Sequence, residues 1–237
     1  MISPQHAPEP PTGTSVAVEE LLGELNDVER KNAPPVLYTL GDRGVLQQGP
    51  RVSIVGSRSA SDEGLRRARK LTRALVSRGV VIVSGLAEGI DAAAHEECIA
   101  SQGKTIAVLG SPLDAPYPAA NRQLFEVIAT KHLAVSQFAS GTPVQPRTFP
   151  MRNRTMALLS HATVIVEAAE KSGTLHQAWE ALRLGRPLFI LESVTRNPEV
   201  TWPKEVMGYG AQVLSEATLD DLLEQLPAGR LEEAVAF

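Results

Sequence analysis

Short runs of aliphatic and β-branched residues recur along this chain, each followed by a segment whose apolar positions fall every three or four residues. The runs are residues 52–55, 80–83, 105–109, 133–136, 163–166 and 188–191. Their length and continuity predict strands buried on both faces, the signature of a parallel sheet. The segments 65–76, 91–100, 120–129, 150–159 and 175–184 show helical spacing between them. Strands alternating with amphipathic helices predict an α/β fold with a doubly wound, mainly parallel sheet, an extended Rossmann-like architecture. Residues 212–214 read as a further strand and 219–226 as a closing helix. Near the start, Val16, Val18, Leu21, Leu22 and Leu25 approximate a helical stripe, followed by Pro34-Pro35 and the apolar run 36–38.

This pattern divides the chain into a Pro-rich tail over 1–14, an N-terminal extension over 15–47 packed on the core, a Rossmann-like domain over 48–226 and a C-terminal tail over 227–237. With 237 residues, 43 % of them hydrophobic, there is ample material for one core. A single cysteine, Cys98, forms no internal disulfide, and no apolar stretch approaches the ~20 residues of a membrane helix, so a cytoplasmic protein is expected. The net charge of −4 argues at first against nucleic acid, but its distribution reverses that impression. Residues 51–191 hold 17 basic and 11 acidic residues, and both flanks are acidic.

In an open parallel sheet, ligands bind beyond the carboxyl ends of the strands, where loops lead into helix N-termini. The loop after the first strand of the core, Gly56-Ser57-Arg58-Ser59-Ala60-Ser61, reads either as an anion-wrapping loop or as a plain tight turn. The next carries Gly85 and Gly89, four apart, with Asp91 placed to cap a helix and His95 a turn later; both take structural roles. Phe149-Pro150-Met151-Arg152-Asn153-Arg154 puts two arginines at a helix start, where the helix dipole disfavours each cation by roughly 0.3–1 kcal/mol. Either an anion or acidic side chains from elsewhere must offset them. The anion is favoured, because neighbouring segments carry few acids. Ser172-Gly173-Thr174, at another strand-to-helix junction, can present hydroxyls and N–H groups to a phosphate. Arg66, Arg67, Arg69, Lys70 and Arg73 line one helix face outside its apolar stripe, a pattern that reads first as solvated surface, with contact to nucleic acid or a partner as the alternative.

Several chemistries are missing. There is no P-loop, no G-x-G-x-x-G after the first core strand and no nucleophile elbow. The five histidines and the cysteine lack zinc-ligand spacing. Neither a metal nor a cofactor is expected, and phosphate-friendly loops without an evident catalyst favour binding over turnover.

In order along the chain, these loops resemble those of the DNA-processing protein A family (DprA, also called Smf). The resemblance rests on residues 52–58, on 83–91 with His95, on 105–110, on Leu113-Asp114, Tyr117-Pro118 and Asn121, on 149–154, and on 166–168 with 172–175. A lead-in at 35–38, with Gly41-Asp42, extends it. The resemblance implies single-stranded DNA bound in a basic pocket, a homodimer, and a RecA-type recombinase as partner in transformation or recombination. Carried over by motif, the pocket comprises Gly56, Ser57, Arg58, Phe149, Arg152, Asn153, Arg154, Ser172, Gly173 and Thr174. Phe149, or another apolar group of the loops, would stack a base. Some members add an N-terminal helical domain and a C-terminal winged-helix module, and no clear winged-helix module is read here.

Two alternatives share the architecture. Nucleoside-monophosphate phosphoribohydrolases carry P-G-G-x-G-T-x-x-E, but Gln177 stands where the catalytic Glu would be, and an amide is no general base. A nucleotide-sensing domain of a defence system would keep the pocket and change its ligand. If Arg58, Arg152 and Arg154 each contact a phosphate, log K for a single strand should fall with log salt at a slope of about −2.

Overall fold

The computed structural model describes residues 13–227, so the two tails, apart from residues 13, 14 and 227, lie outside the described residues. Seven parallel strands form the body of one sheet: β3 (Arg51–Gly56), β4 (Val81–Ser84), β5 (Thr105–Leu109), β6 (Leu133–Ser136), β7 (Ala162–Glu167), β8 (Leu188–Leu191) and β9 (Gln212–Leu214). Each matches an apolar run to within one residue at either end. At one edge β1 (Thr14–Ala17) and β2 (Val36–Gly41) add two antiparallel strands, giving the order β1-β2-β6-β5-β4-β3-β7-β8-β9.

That edge corrects the N-terminal reading. The stripe expected to form one helix over 16–25 splits, because Val16 pairs with Leu37 inside β1 and only Val18–Leu22 forms a helix, α1. Gly23 ends it with a φ of +84°, a conformation that favours glycine. The five apolar positions fit a period of two at their start as well as a period of 3.6, and pairing with β2 decides between them. The run 36–38 belongs to a six-residue strand in which Leu37 and Thr39 face inward.

After the short α2 (Asp27–Asn32), helices cover both faces of the sheet. On one lie α3 (Asp62–Val76), α4 (Ile90–Ala100) and α5 (Arg122–Lys131); on the other lie α6 (Thr148–Leu159) and α7 (Thr174–Arg183). Beyond β8 come α8 (Glu192–Thr195), α9 (Trp202–Gly208), packed beside α7, and α10 (Leu219–Glu224), packed with α3 and α4. Alternate residues of each strand feed the two layers, so Val81 and Val83 enter one core and Ile82 the other. No described helix is long and apolar enough to cross a membrane.

His95 is fully buried on α4, with Nδ1 2.7 Å from Thr105 Oγ1. Burial pulls its pKa down to about 3, so the folded ring stays neutral while the unfolded ring takes up a proton near pH 6.5. Stability from this group is complete above pH 6.5 and falls as pH drops, at about 1.4 kcal/mol per pH unit. Urea unfolding at pH 7 and pH 5 should show this loss, and His95→Gln should reduce the dependence, leaving the share of His161, whose pKa burial pulls down to about 4. An equal slope in the variant would rule His95 out as its source.

Candidate functional site

From β3 the chain builds outward through β4, β5 and β6, then crosses beneath the sheet along α6 and resumes on the other side of β3 with β7. The loops that follow β3 and β7 therefore diverge, which opens the crevice characteristic of a topological switch point. A cleft of about 980 Å³ lies there, a volume suited to a small-molecule or nucleotide-sized ligand. Gly56, Ser57, Arg58, Phe149, Arg152, Asn153, Ser172, Gly173 and Thr174 all line it. Of the residues expected at the site, only Arg154 does not.

Glu167, at the end of β7, shapes the loop after β3. Its carbonyl accepts from Ser57 N at 2.7 Å, and its carboxylate accepts from Ser61 N at 2.9 Å and Ser61 Oγ at 2.5 Å. Ser61 in turn caps α3 by accepting from Gly64 N. Gly89, with a φ of +76°, lets the next loop pass against the carbonyls of Ser57 and Arg58, which a Cβ would strike. Between the two anchors the N–H groups of Arg58, Ser59 and Ala60 make no hydrogen bond among the described residues. Three successive free donors form a ready concavity for an anion.

The turn after β7 is stitched to this loop. Thr174 Oγ1 donates to the Gly56 carbonyl at 3.1 Å, Thr174 N donates to Ser172 Oγ, and the Gly173 carbonyl accepts from Asn153 Nδ2 at 3.3 Å. The Thr174 hydroxyl proton is thus committed to holding the two loops together. Free donors remain in the loop after β3 and at Gly173, whose N–H makes no hydrogen bond among the described residues.

The arginines depart most from expectation. α6 starts at Thr148, so Arg152 and Arg154 lie beyond the first turn, where the dipole penalty fades. Both have acidic partners from distant segments. Arg152 is 5 % exposed, its Nη1 3.8 Å from Asp91 Oδ2 and 3.1 Å from the Val108 carbonyl it donates to. Gly85 makes the space, since a Cβ there would overlap the guanidinium. Asp91 is buried in the first turn of α4, behind the Gly89 cap, and accepts from Gly85 N at 3.1 Å. Burial pushes the Asp91 carboxyl up and the Arg152 guanidinium down, and each partner's charge opposes the other's shift. Arg154 points elsewhere: it pairs with Glu180 of α7 at 3.3 Å and lines a separate groove of about 520 Å³ with Met151, Pro34, Pro35 and Tyr38.

Arg58 is therefore the one cation of the cleft without an acidic partner among the described residues. Its guanidinium sits 4.9 Å from the Phe149 ring centroid, a cation–π arrangement. Tyr117 packs against the same Phe149 ring, centroids 5.7 Å apart, and is 46 % exposed, an aromatic platform that sequence reasoning passed over. The Tyr-Pro pair beyond β5 was its signal. The basic face of α3 is laced with acids: Arg66 and Arg67 pair with Glu63, Arg69 with Glu96, Lys70 with Glu216 and Arg73 with Glu97. Each of these five cations has an acidic neighbour, so the face carries little unpaired positive charge. Cys98 is buried, and burial lifts its thiol to about 12, which leaves no thiolate for chemistry at neutral pH. Among the described residues no cluster of His, Cys, Asp or Glu could hold a metal ion.

The model of the family described as DNA recombination-mediator protein A matches residues 20–227. The chain belongs to this family. Protein Smf from Synechocystis sp. is 44 % identical over 203 residues, which are 84 % of this chain and 51 % of that protein, so the chain spans about half the length of that relative. The X-ray structure of DNA processing protein A (DprA) from Streptococcus pneumoniae superposes with a TM-score of 0.78 at 31 % identity, covering 93 % of this chain and 76 % of the other. DprA from Helicobacter pylori, described for its single-stranded DNA binding mode, gives 0.77 at 29 % identity, covering 91 % and 98 %. These DprA structures share the Rossmann-like α/β architecture of the present fold.

Proposed function

We propose that this chain binds single-stranded DNA along the cleft and acts in DNA processing for transformation or recombination, without catalytic turnover of its own. The observation that carries the reading is Arg58, an exposed, unpaired guanidinium on a loop that offers three free backbone N–H groups. Arg58 and those donors would hold phosphates, with Ser57 adding a hydroxyl. Phe149 and Tyr117 supply the stacking surface that single-strand binders combine with a basic track. Arg152, Asn153, Ser172, Gly173 and Thr174 shape the walls rather than supply charge.

Labelled oligonucleotides, single- and double-stranded, test the reading directly. Single strands should bind more tightly than duplexes, and nucleoside monophosphates incubated with the protein should release no free base. Duplex preference or base release would overturn it. A RecA-type recombinase is the partner the family implies, and faster recombinase assembly on a protein-coated strand would report it. A homodimer has a candidate surface at Trp179, Met207 and Tyr209, where the Trp179 and Tyr209 rings meet edge-on at 5.2 Å and Tyr209 is 68 % exposed. Tyr209→Glu should convert a dimer to a monomer by mass in solution. An unchanged dimer would place the interface elsewhere.

A further inference from the structure

The cleft occupies the carboxyl edge of the sheet, and the opposite, amino edge carries charge of its own. In the order β6-β5-β4-β3-β7-β8, each strand has a basic side chain within three residues of its start: Lys131, Lys104, Arg78, Arg51, His161 and Arg186. Neighbouring starts are held in register, His161 N donating to the Arg51 carbonyl at 2.7 Å and Ile82 N to the Lys104 carbonyl at 2.9 Å. At about 4.8 Å between strands, the row is about 24 Å long. Its members crowd one another. Burial, and then the charges of Lys104 and Lys131, pull down the pKa of His132 at the start of β6. Burial and then Arg186 lower Arg51 to about 10, so it stays charged at neutral pH, while burial, Arg51 and Arg186 hold His161 at about 4.

Acids answer only part of this charge. Asp220 pairs with Arg78 at 3.1 Å, Glu29 pairs with Arg186, and Asp42, beside Arg43, accepts from Gly44 N. Lys104, Lys131 and Arg51 have no acidic partner among the described residues. Arg51 spends its donors on the Leu46 and Leu159 carbonyls, which leaves the two lysines free to reach outward. None of the six side chains in the row lines the cleft.

We propose that the amino edge of the sheet is a second nucleic-acid surface, on which Lys104 and Lys131 contact the phosphate backbone of double-stranded DNA within the positive field of Arg51. No exposed aromatic stands at these six strand starts, so unstacked bases find no platform there. A duplex stacks its own bases and needs none. It presents one charge per about 1.7 Å of axis, so a row of point charges meets phosphates in any register and reads no sequence. The surface is independent of the cleft, and one molecule could hold a strand on one edge of the sheet and a duplex on the other.

Fluorescence anisotropy with a labelled duplex long enough to span the row, and separately with a labelled single strand, tests this on the unaltered protein, Lys104→Gln/Lys131→Gln and Arg58→Ala. For the duplex, the slope of log K against log salt should become shallower by about 2 in the lysine variant, two contacts at about 0.9 each, and stay unchanged in Arg58→Ala. For the strand, the lysine variant should give a line parallel to the unaltered protein, which also reports that it is folded. Excess unlabelled duplex should leave a strand in the cleft undisplaced. No measurable duplex binding, parallel duplex lines for the unaltered protein and the lysine variant, or duplex binding lost in Arg58→Ala would overturn the second surface. Displacement of the duplex by polyglutamate of equal charge at equal concentration would assign the row to an acidic polypeptide and overturn it too. Failure of single strands to bind, with duplex binding still dependent on the lysines, would sink the reading of the cleft and leave this one standing.

Discussion

Asp91→Ala should lower the unfolding free energy by about 3–5 kcal/mol, the largest single effect expected outside the apolar core. The substitution removes the counter-charge 3.8 Å from a guanidinium that is almost wholly buried, and the acceptor that holds Gly85 N. The size of the loss comes from the arginine left behind. Since burial penalises the charged forms of both residues, the pair itself adds little net stability over apolar groups of similar size. The double variant Asp91→Leu/Arg152→Met should therefore recover most of the loss in urea unfolding. Recovery absent from the double variant would show that Asp91 stabilises the fold by some route other than Arg152.

The second large effect concerns binding. Arg58→Ala should weaken single-strand binding by roughly 10- to 150-fold, on the order of the 1.5–3 kcal/mol of a hydrogen bond to a charged group. It also releases Phe149 from the cation above it. Arg154→Ala should leave affinity within about threefold, because that side chain is paired with Glu180 and lines another groove. Fluorescence anisotropy with one labelled strand compares the two variants. A larger loss from Arg154 than from Arg58 would move the DNA path off the cleft and onto the groove by Pro34 and Pro35.

The strands of the core were legible because a parallel strand buried on both faces must be apolar along its length, and few other local structures demand that. β1 and β2 were not. They join the sheet as an antiparallel edge, where alternation over four to six residues is easily confused with the start of a helix. The loops of the cleft could be read from Gly56, Ser57, Arg58 and Ser172 to Thr174, since small residues at strand ends limit what such a loop can do. The ion pairing of the arginines could not. Asp91 stands 61 positions before Arg152 and Glu180 26 after Arg154, so counting acids in neighbouring segments missed both partners that the fold delivers. The expected salt slope changes with them, as three free arginines become one.

The slope of log K against log salt, measured between about 50 and 200 mM for the unaltered protein, Arg58→Ala and Arg154→Ala, is the most direct test of single-strand binding through Arg58. Each phosphate contact removed should make the slope shallower by about 0.7. The expected result is a shallower line for Arg58→Ala and a line parallel to the unaltered protein for Arg154→Ala. Parallel lines for the unaltered protein and Arg58→Ala, or affinity indifferent to salt, would contradict it.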